Sequence, residues 1–270
     1  MSTELPQCPI SGQAATSTNG PAKCPASLAN IDPRNNMPLE SQTPANGQTS
    51  KLSVERVTSS IPRPADSTCG HQSDTQDNWE YPSPQQFHNA LLRKGYDTPE
   101  NQAESMVFIH NELNEYAWGQ VVRWESRFHG GEEEAAKLQL ASFSGIHGHL
   151  SNKARLFRYG KRILPSYFTL PDPFDRHDWI VRRSTSGQEA RYVIDYYRLK
   201  DEEGDDAFYM DVRPAFDSVS NASARVAAVV LDKVASATGT GNTNWSLFSS
   251  VAVMTVMISG CLIAPIIGRR

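Results

Sequence analysis

The feature that most constrains this chain is a helical pattern of apolar residues within residues 99–128. Apolar side chains recur there at the spacing of one face of an α-helix, at Met106, Ile109, Leu113, Ala117, Val121 and Trp124. We therefore predict one long helix that packs through this face. His110 falls on the same face, and the adjoining strip at helical spacing consists of Asn111, Asn114, Glu115 and Trp118.

Two interpretations of His110 are open from the pattern. A polar side chain on an apolar face is commonly a hydrogen-bonded part of the core. The other interpretation is an iron ligand, since neutral imidazole is a common protein ligand of haem iron.

A second histidine, His177, follows Pro171 and Pro173, which are incompatible with a helix interior. We therefore predict a loop. The neighbouring Asp175 and Asp178 are carboxylates that can hold one ring nitrogen protonated, as they do for ligand or acid–base histidines. A surface cluster of ion pairs is the alternative.

Composition divides the chain into three parts. Residues 1–78 are rich in Pro, Ser, Thr, Asn and Gly and poor in aromatic residues, which predicts disorder. Residues 79–236 have the composition of a single folded domain. Residues 237–270 are predicted to be a linker and an apolar tail.

The folded part is predicted to be α+β, with helices dominant. Residues 85–94, 99–128 and 218–236 are predicted helices. Residues 191–197 and 207–212 are rich in β-branched and aromatic residues, and we predict that they form a small antiparallel hairpin. The turn between these strands holds five acidic residues; it is either a solvated turn or an attractive surface for a basic partner.

Six blocks of sequence resemble one protein family, the holocytochrome c synthases or cytochrome c-type haem lyases. They are WEYPSPQQFHNALLRKGYD (79–97), IHNELNEYAW (109–118), LSNKAR (150–155), PFDRHDWIV (173–181), RYVIDYY (191–197) and DVRPAFDS (211–218). The resemblance runs in order from about residue 50 to about residue 225. Its length makes it far more specific than a short motif.

This resemblance implies an enzyme that attaches haem, its substrate, to apocytochrome c. Thioether bonds would form between the haem vinyl groups and the cysteines of a Cys-x-x-Cys-His segment. The partners would be that segment, the N-terminal helix of the apocytochrome and the mitochondrial inner membrane, on its intermembrane-space side. Which c-type apocytochrome is the substrate stays open.

The same resemblance implies roles for individual residues. His110 would be the axial ligand of the haem iron, and Asn114 and Glu115 belong to the same catalytic block. His177 would take part in haem handling and catalysis. Aromatic residues such as Trp118, Trp124 and Trp79 could cover the porphyrin faces, although Trp124 at this spacing is equally typical of a core.

Two cysteines of the N-terminal region precede proline, at Cys8 and Cys24, and these pairs resemble haem regulatory motifs. A thiolate is a good ligand for haem iron, and the following proline keeps the segment extended. Chance pairing in a proline-rich region is the alternative. Cys69 and Cys261 have no metal-binding spacing, and the cysteines do not form a disulfide framework.

Residues 247–267 carry no charge and precede Arg269 and Arg270. About 20 apolar residues suffice to cross a bilayer, so this tail is a candidate transmembrane anchor, with a peripheral or packed segment as the alternative. The first 22 residues hold no Lys or Arg, so mitochondrial import would depend on internal signals.

His147 and His149 stand two apart in a glycine-containing loop, which is either a metal site or incidental. The formal charge of −4 decides no partner, and we expect no nucleic-acid partner. The competing function is a haem carrier or sensor that binds haem without making thioether bonds.

Overall fold

The computed structural model describes residues 31–32, 34–64, 78–96, 98–146, 148–200, 206–238 and 254–255. Its helices are α1 (Pro84–Arg93), α2 (Ala103–Phe128), α3 (Gly131–Ala135), α4 (Asn152–Ile163) and α5 (Val219–Thr238). Its strands are β1 (Ile31–Asp32), β2 (Met37–Pro38), β3 (Thr58–Pro62), β4 (Asn78–Glu80), β5 (Gln139–Gly145), β6 (Asp175–Arg182), β7 (Glu189–Lys200), β8 (Asp206–Pro214) and β9 (Met254–Thr255).

An antiparallel sheet of five strands, in the order β5-β6-β7-β8-β9, forms the centre of the fold. The predicted hairpin is its β7–β8 pair, in which Asp195 lies opposite Asp211. The α+β prediction is therefore confirmed, but it understated the strands, since β5 and β6 extend the hairpin into a larger sheet. Their sequences are shorter and more polar than those of β7 and β8, and tertiary pairing stabilises them: β6 pairs with β7, and β5 pairs with β6.

Alternate residues of each strand face opposite sides of this sheet. One side packs against α2 and forms the hydrophobic core. Its largest members are Trp79, Trp118, Trp124, Trp179, Tyr192, Tyr196 and Met210. The other side carries a cluster of charged residues, described below.

The predicted helices are confirmed, and local signals explain where they begin. Ser83 caps α1 and exchanges hydrogen bonds with Gln86 in a capping box, and Pro84 follows at the first helical position. The helix is followed by Gly95, whose positive φ of 81° suits glycine. Helix α4 was not predicted; Ser151 caps it by accepting a hydrogen bond from the Ala154 amide.

Residues 34–64, which composition predicted to be disordered, pack against the folded domain. Leu52 and Ile61 are buried, and β3 pairs with β4. Arg56 Nη1 lies 2.5 Å from Asp32 Oδ2. The segment has no core of its own, so composition gave no sign of order. Only Leu52 and Ile61 among its large apolar residues are buried, whereas Leu39, Val54 and Val57 are exposed.

Several sequence predictions fall outside the described residues, namely those on Cys8, Cys24, Cys69, Cys261 and His147 and nearly all of the apolar tail. Among the helices that the structure describes, none has both the length and the apolar character needed to cross a bilayer.

Candidate functional site

One cavity lies between helices α1 and α2 and the strands β6, β7 and β8, and both predicted histidines line it. Its volume is about 230 Å³. Its apolar and aromatic lining consists of Phe87, Leu91, Tyr96, Met106, Ile109, Leu113, Phe174, Tyr196 and Phe208. Its polar and charged lining consists of Lys94, His110, Asn114, Asp175, His177 and Arg198. An apolar cavity with a few polar groups is typical of a small-molecule site.

His110 projects from α2 into this cavity. Its ring meets the Tyr81 ring edge-on, with 6.2 Å between centroids, and lies 5.8 Å from the Phe87 ring. Burial, followed by the nearby His177, lowers the pKa of His110 from 6.5 to about 4. At neutral pH the ring is therefore uncharged and retains a lone pair for a metal ion.

Asn114 lies one helical turn after His110 on α2, and its side chain bonds to the His110 backbone. Its side-chain amide donates a hydrogen bond of 2.7 Å to the His110 carbonyl oxygen. The same amide nitrogen lies 3.4 Å from each ring nitrogen of His110, and Asn111 Oδ1 lies 3.5 Å from Nδ1. These contacts are longer than ordinary hydrogen bonds, so they leave the ring available to a ligand.

His177 lies on strand β6, and the prediction of a loop was wrong. Pairing with β7 places His177 opposite Ile194. The prolines that suggested a loop precede the strand and do not interrupt its hydrogen bonds. His177 Nε2 lies 3.1 Å from Asp175 Oδ2, and the imidazole packs edge-on against the Tyr196 ring at 5.1 Å.

Of the two carboxylates predicted to orient His177, only Asp175 does so. Asp178 faces the other side of the sheet and pairs with Arg176 and Arg191, at 2.9 and 2.7 Å. Strand alternation separates the two acids. The DRHD block thus holds a site histidine and a structural ion pair together.

Glu115 does not line the cavity. Its carboxylate accepts hydrogen bonds from Ser59 Oγ at 2.5 Å, from the Ser60 amide at 3.1 Å and from Tyr81 Oη at 2.9 Å, and a further one from Ser60 Oγ. Burial raises the pKa of Glu115, but these hydrogen bonds outweigh it and the pKa falls below its ordinary value. Glu115 therefore anchors β3 and Tyr81 to α2, and Tyr81 contacts His110.

The predicted tryptophans belong to the core and do not line the cavity. Trp118 is buried among core residues. The indole of Trp79 donates to the Leu140 carbonyl at 3.0 Å, and that of Trp124 donates to the Val212 carbonyl at 2.9 Å. The aromatic rings that line the cavity are instead those of Phe87, Tyr96, Phe174, Tyr196 and Phe208.

These lining rings were missed because sequence spacing does not place residues from separate elements together. Most of them nevertheless lie in the blocks quoted for the resemblance: Phe87 and Tyr96 in the first, Phe174 in PFDRHDWIV and Tyr196 in RYVIDYY. Their position within these blocks is the sequence signal that could have identified them. Phe208 lies outside the blocks and had none.

Two cations, Lys94 and Arg198, line the cavity and make no ion pair with any residue that the structure describes. Arg198 lies over the Phe208 ring, with its guanidinium carbon 5.8 Å from the centroid. Because the surrounding lining is largely apolar, these two charges are suited to anionic groups on an otherwise apolar ligand.

A buried ion cluster on the opposite side of the sheet explains three more blocks. Arg213 Nη2 lies 2.6 Å from Asp195 Oδ2, and its Nη1 lies 2.7 Å from Asp211 Oδ2. Ser151 donates to Asp195 at 2.5 Å, and Lys153 reaches Asp211 at 2.6 Å. The blocks LSNKAR, RYVIDYY and DVRPAFDS meet here, and the cluster fixes α4 on the sheet.

Metal ligands of the usual kind are not clustered in the described part of the chain, where no group of three His, Cys, Asp or Glu side chains could hold an ion. His149 is exposed and does not line the cavity. His110 and His177 are thus the candidates for coordinating a metal ion that is already bound inside a larger organic ligand.

Comparison with known proteins identifies the family. The family described as "Cytochrome c/c1 heme lyase" matches residues 1–229. This chain belongs to the cytochrome c/c1 haem lyase family. The match reaches beyond the blocks recognised in the sequence and includes residues 34–64, which pack against the domain.

Individual proteins similar to this chain carry the name of the same family. The chain is 38% identical over 236 residues to a holocytochrome-c synthase of Saccharomyces cerevisiae, covering 81% of this chain and 84% of the relative. It is 39% identical to a holocytochrome c-type synthase of Bos taurus, covering 80% and 70%, and 38% identical to that of Homo sapiens, covering 80% and 72%. No solved structure matches the chain.

Proposed function

We propose that this member of the family is a holocytochrome c synthase, an enzyme that attaches haem covalently to an apocytochrome c. The observation that carries the proposal is the cavity, which is lined by His110 in its uncharged form, by His177 and by five aromatic rings. Haem is the substrate, and its iron would be held by His110. Neutral imidazole is the protonation state that binds iron.

The cavity would hold only part of the haem. Its volume of about 230 Å³ lies below the roughly 300–1,000 Å³ usual for small-molecule pockets. A porphyrin bound to His110 would therefore project from the opening. This leaves its second face and its vinyl edge accessible to the Cys-x-x-Cys-His segment of the apocytochrome, whose histidine would take the second axial position.

Positioning would then account for most of the catalysis. Each thioether forms when one S–H group adds across one vinyl double bond, with sulfur bonded to one carbon and hydrogen to the other, so that neither oxidant nor reductant is consumed. Holding both partners turns a bimolecular reaction into an oriented one. Thiols attack as thiolates, and His177, fixed by Asp175, is the group in the cavity suited to moving the proton.

The other site residues would orient and enclose the haem. We assign the propionates to Lys94 and Arg198, the two cations of the lining. Phe87, Phe174 and Tyr196 would contact the porphyrin. Asn114 and Glu115 would act as positioning residues, through the His110 carbonyl and through Tyr81 respectively, and Trp118 would support α2 from the core.

We also propose the cellular location and the protein partner from membership of the family. We place the enzyme in the mitochondrion, on the intermembrane-space side of the inner membrane, with apocytochrome c as partner through its N-terminal helix and Cys-x-x-Cys-His segment. The catalytic unit would include residues 34–64 as well as 79–236. Cys8 and Cys24 would be additional thiolate ligands for haem on its way to the cavity.

The alternative is a carrier that binds haem in the same cavity without forming thioethers. The neutral His110 and the two lining cations fit that function equally well. A carrier needs no recognition of an apocytochrome, so binding of the apocytochrome N-terminal peptide separates the two functions.

The decisive experiment is co-expression with an apocytochrome c in a bacterial cytoplasm without its own maturation system, scoring covalent haem on a denaturing gel. The intact chain and His149→Ala, a change at an exposed histidine, should yield covalent haem, and His110→Ala should not. Co-purified haem without a covalent product would favour the carrier. Covalent product that survives His110→Ala would contradict the assignment of His110.

A further inference from the structure

Helix α4 exposes a stripe of large apolar side chains on its outer face. Leu156, Tyr159 and Ile163 follow one another at helical spacing and are 64%, 60% and 77% exposed. Ala154, which is buried, lies on the opposite side of the helix. The usual arrangement, with apolar residues inward and polar residues outward, is therefore reversed along this face.

The segment after α4 enlarges the same apolar surface. Leu164 and Tyr167 are 50% and 79% exposed. The chain turns back because Phe168 packs on Gly160, where an added Cβ would lie 2.7 Å from the Phe168 ring. The close approach at Gly160 holds the returning segment beside the helix, so the exposed side chains form one continuous patch.

Basic residues flank this patch, and most of them form no ion pair with an acidic residue that the structure describes. Lys153 and Arg158 pair with Asp211 and Asp172. Arg155, Lys161 and Arg162 make no ion pair with the residues placed in the structure. The sequence from 151 to 171 contains no acidic residue.

We propose that α4 and the returning segment form a docking surface for a bilayer that contains anionic lipids. A helix with an apolar face and flanking Lys and Arg lies in the membrane interface, with the apolar side chains in the acyl boundary and the cations among the headgroups. The long basic side chains reach the headgroups while their stems cover apolar surface. Each cation near an anionic surface adds about 1 kcal/mol, a factor of about five in binding.

Charge complementarity selects this occupant over the others. The apolar tail at residues 247–267 could cover an apolar face but carries no charge to match the cations. A basic protein would be repelled by them. Helix α5 supplies a contrast, since Val226 and Val229 are also exposed there and carry no comparable group of cations beside them.

The orientation that follows keeps the cavity free. Ser151, at the start of α4, bonds to Asp195, and the next residue of β7, Tyr196, lines the cavity on the other side of the sheet. Docking through α4 therefore places the cavity on the side of the sheet that faces away from the bilayer. This inference does not depend on the proposed chemistry.

The test is sedimentation of the purified full chain with vesicles of phosphatidylcholine, with and without cardiolipin. We expect binding to the cardiolipin vesicles that weakens with added salt. Lys161→Gln combined with Arg162→Gln should reduce that binding by about 25-fold, a factor of about five for each charge. Leu156→Ser combined with Ile163→Ser should also reduce it, because apolar contact is lost. Arg123→Gln on α2 and Val229→Ser on α5 are matched controls that should bind as the unchanged chain does.

Other outcomes overturn the proposal. If the α4 variants bind as the unchanged chain does, the tail or another surface carries the binding, or the tail covers α4. If cardiolipin and salt have no effect, the flanking cations have no lipid partner. Thermal unfolding of each variant separates these results from misfolding, which the high exposure of all four substituted side chains makes unexpected. If a variant does unfold early, Arg155→Gln repeats the charge test at a third exposed position.

Discussion

Arg213 and Asp195 form an ion pair of 2.6 Å in which both side chains are almost fully buried. The pair joins β7 to β8 and, through Ser151, to the start of α4. A buried charge without a partner costs far more than a surface charge, so each member depends on the others. The cluster thus holds together sequence blocks that are far apart in the chain.

Replacing Arg213 with Met should destabilise the protein strongly. The change leaves Asp195 and Asp211 buried without their shared partner, and we expect the free energy of unfolding to fall by about 3–5 kcal/mol. The matched control is Arg158→Met, which removes an exposed ion pair to Asp172 and should cost about 0–1 kcal/mol. Denaturant unfolding measures both. Equal losses for the two variants would contradict the importance assigned to burial.

The stability of the haem-free protein should fall as the pH drops from 6.5 to about 4. The folded-state pKa of His110 is below its ordinary value, so the unfolded chain binds a proton in this range more readily than the folded one. The contribution is fully present above pH 6.5 and is lost on acidification, by up to about 3 kcal/mol. His110→Gln should lack this component, and the difference between the two unfolding curves across the pH range isolates it. Parallel curves would contradict the lowered pKa.

Glu115→Gln should lower both the stability and the haem affinity. The neutral amide cannot accept all the hydrogen bonds from Ser59, Ser60 and Tyr81, and a loss of about 2 kcal/mol in the free energy of unfolding is expected. Tyr81, released from Glu115, would then support His110 less well. Glu112→Gln, three residues earlier on α2, is the control and should change neither quantity. Unfolding by denaturant and haem titration give the two readouts.

Lys94→Gln and Arg198→Gln should weaken haem binding through the propionates. Exposed ion pairs of this kind contribute about 0.5–1 kcal/mol, so each change should reduce affinity by about two- to fivefold. Haem dimethyl ester, which lacks the carboxylate charges, should bind the variants and the unchanged protein alike. Lys51→Gln, at an exposed position outside the cavity, should have no effect. Equal losses for haem and its ester would contradict the assignment of the propionates.

Sequence patterns predicted the elements whose signals are local. The apolar periodicity of α2, the helical pattern of residues 85–94 in α1 and the β-branched and aromatic runs of β7 and β8 are each contained in a short stretch, and the structure confirms these elements. The order of residues 34–64 was missed because it depends on distant partners. Glu100, for example, accepts hydrogen bonds from the amides of Thr49 and Ser50, at 2.9 and 2.5 Å.

The candidate site likewise combines residues that the sequence indicated with residues that only tertiary packing identifies. The resemblance indicated both His110 and His177, and the structure brings them to one cavity. The resemblance could not distinguish Glu115 and Trp118, which lie outside the cavity lining, from Phe174 and Tyr196, which belong to it. Members of one block can face opposite sides of a strand or helix, and only tertiary packing decides which of them reach the ligand.

Two consecutive residues of strand β7 serve different parts of the protein. Asp195 belongs to the ion cluster on one side of the sheet, and Tyr196 lines the cavity on the other. Inserting or deleting one residue here would exchange the two sides along the rest of the strand, which would put a carboxylate against the cavity and a ring against the ions. We expect this strand to accept no change in its length, so natural variation in the length of the protein should be confined to the connections between strands.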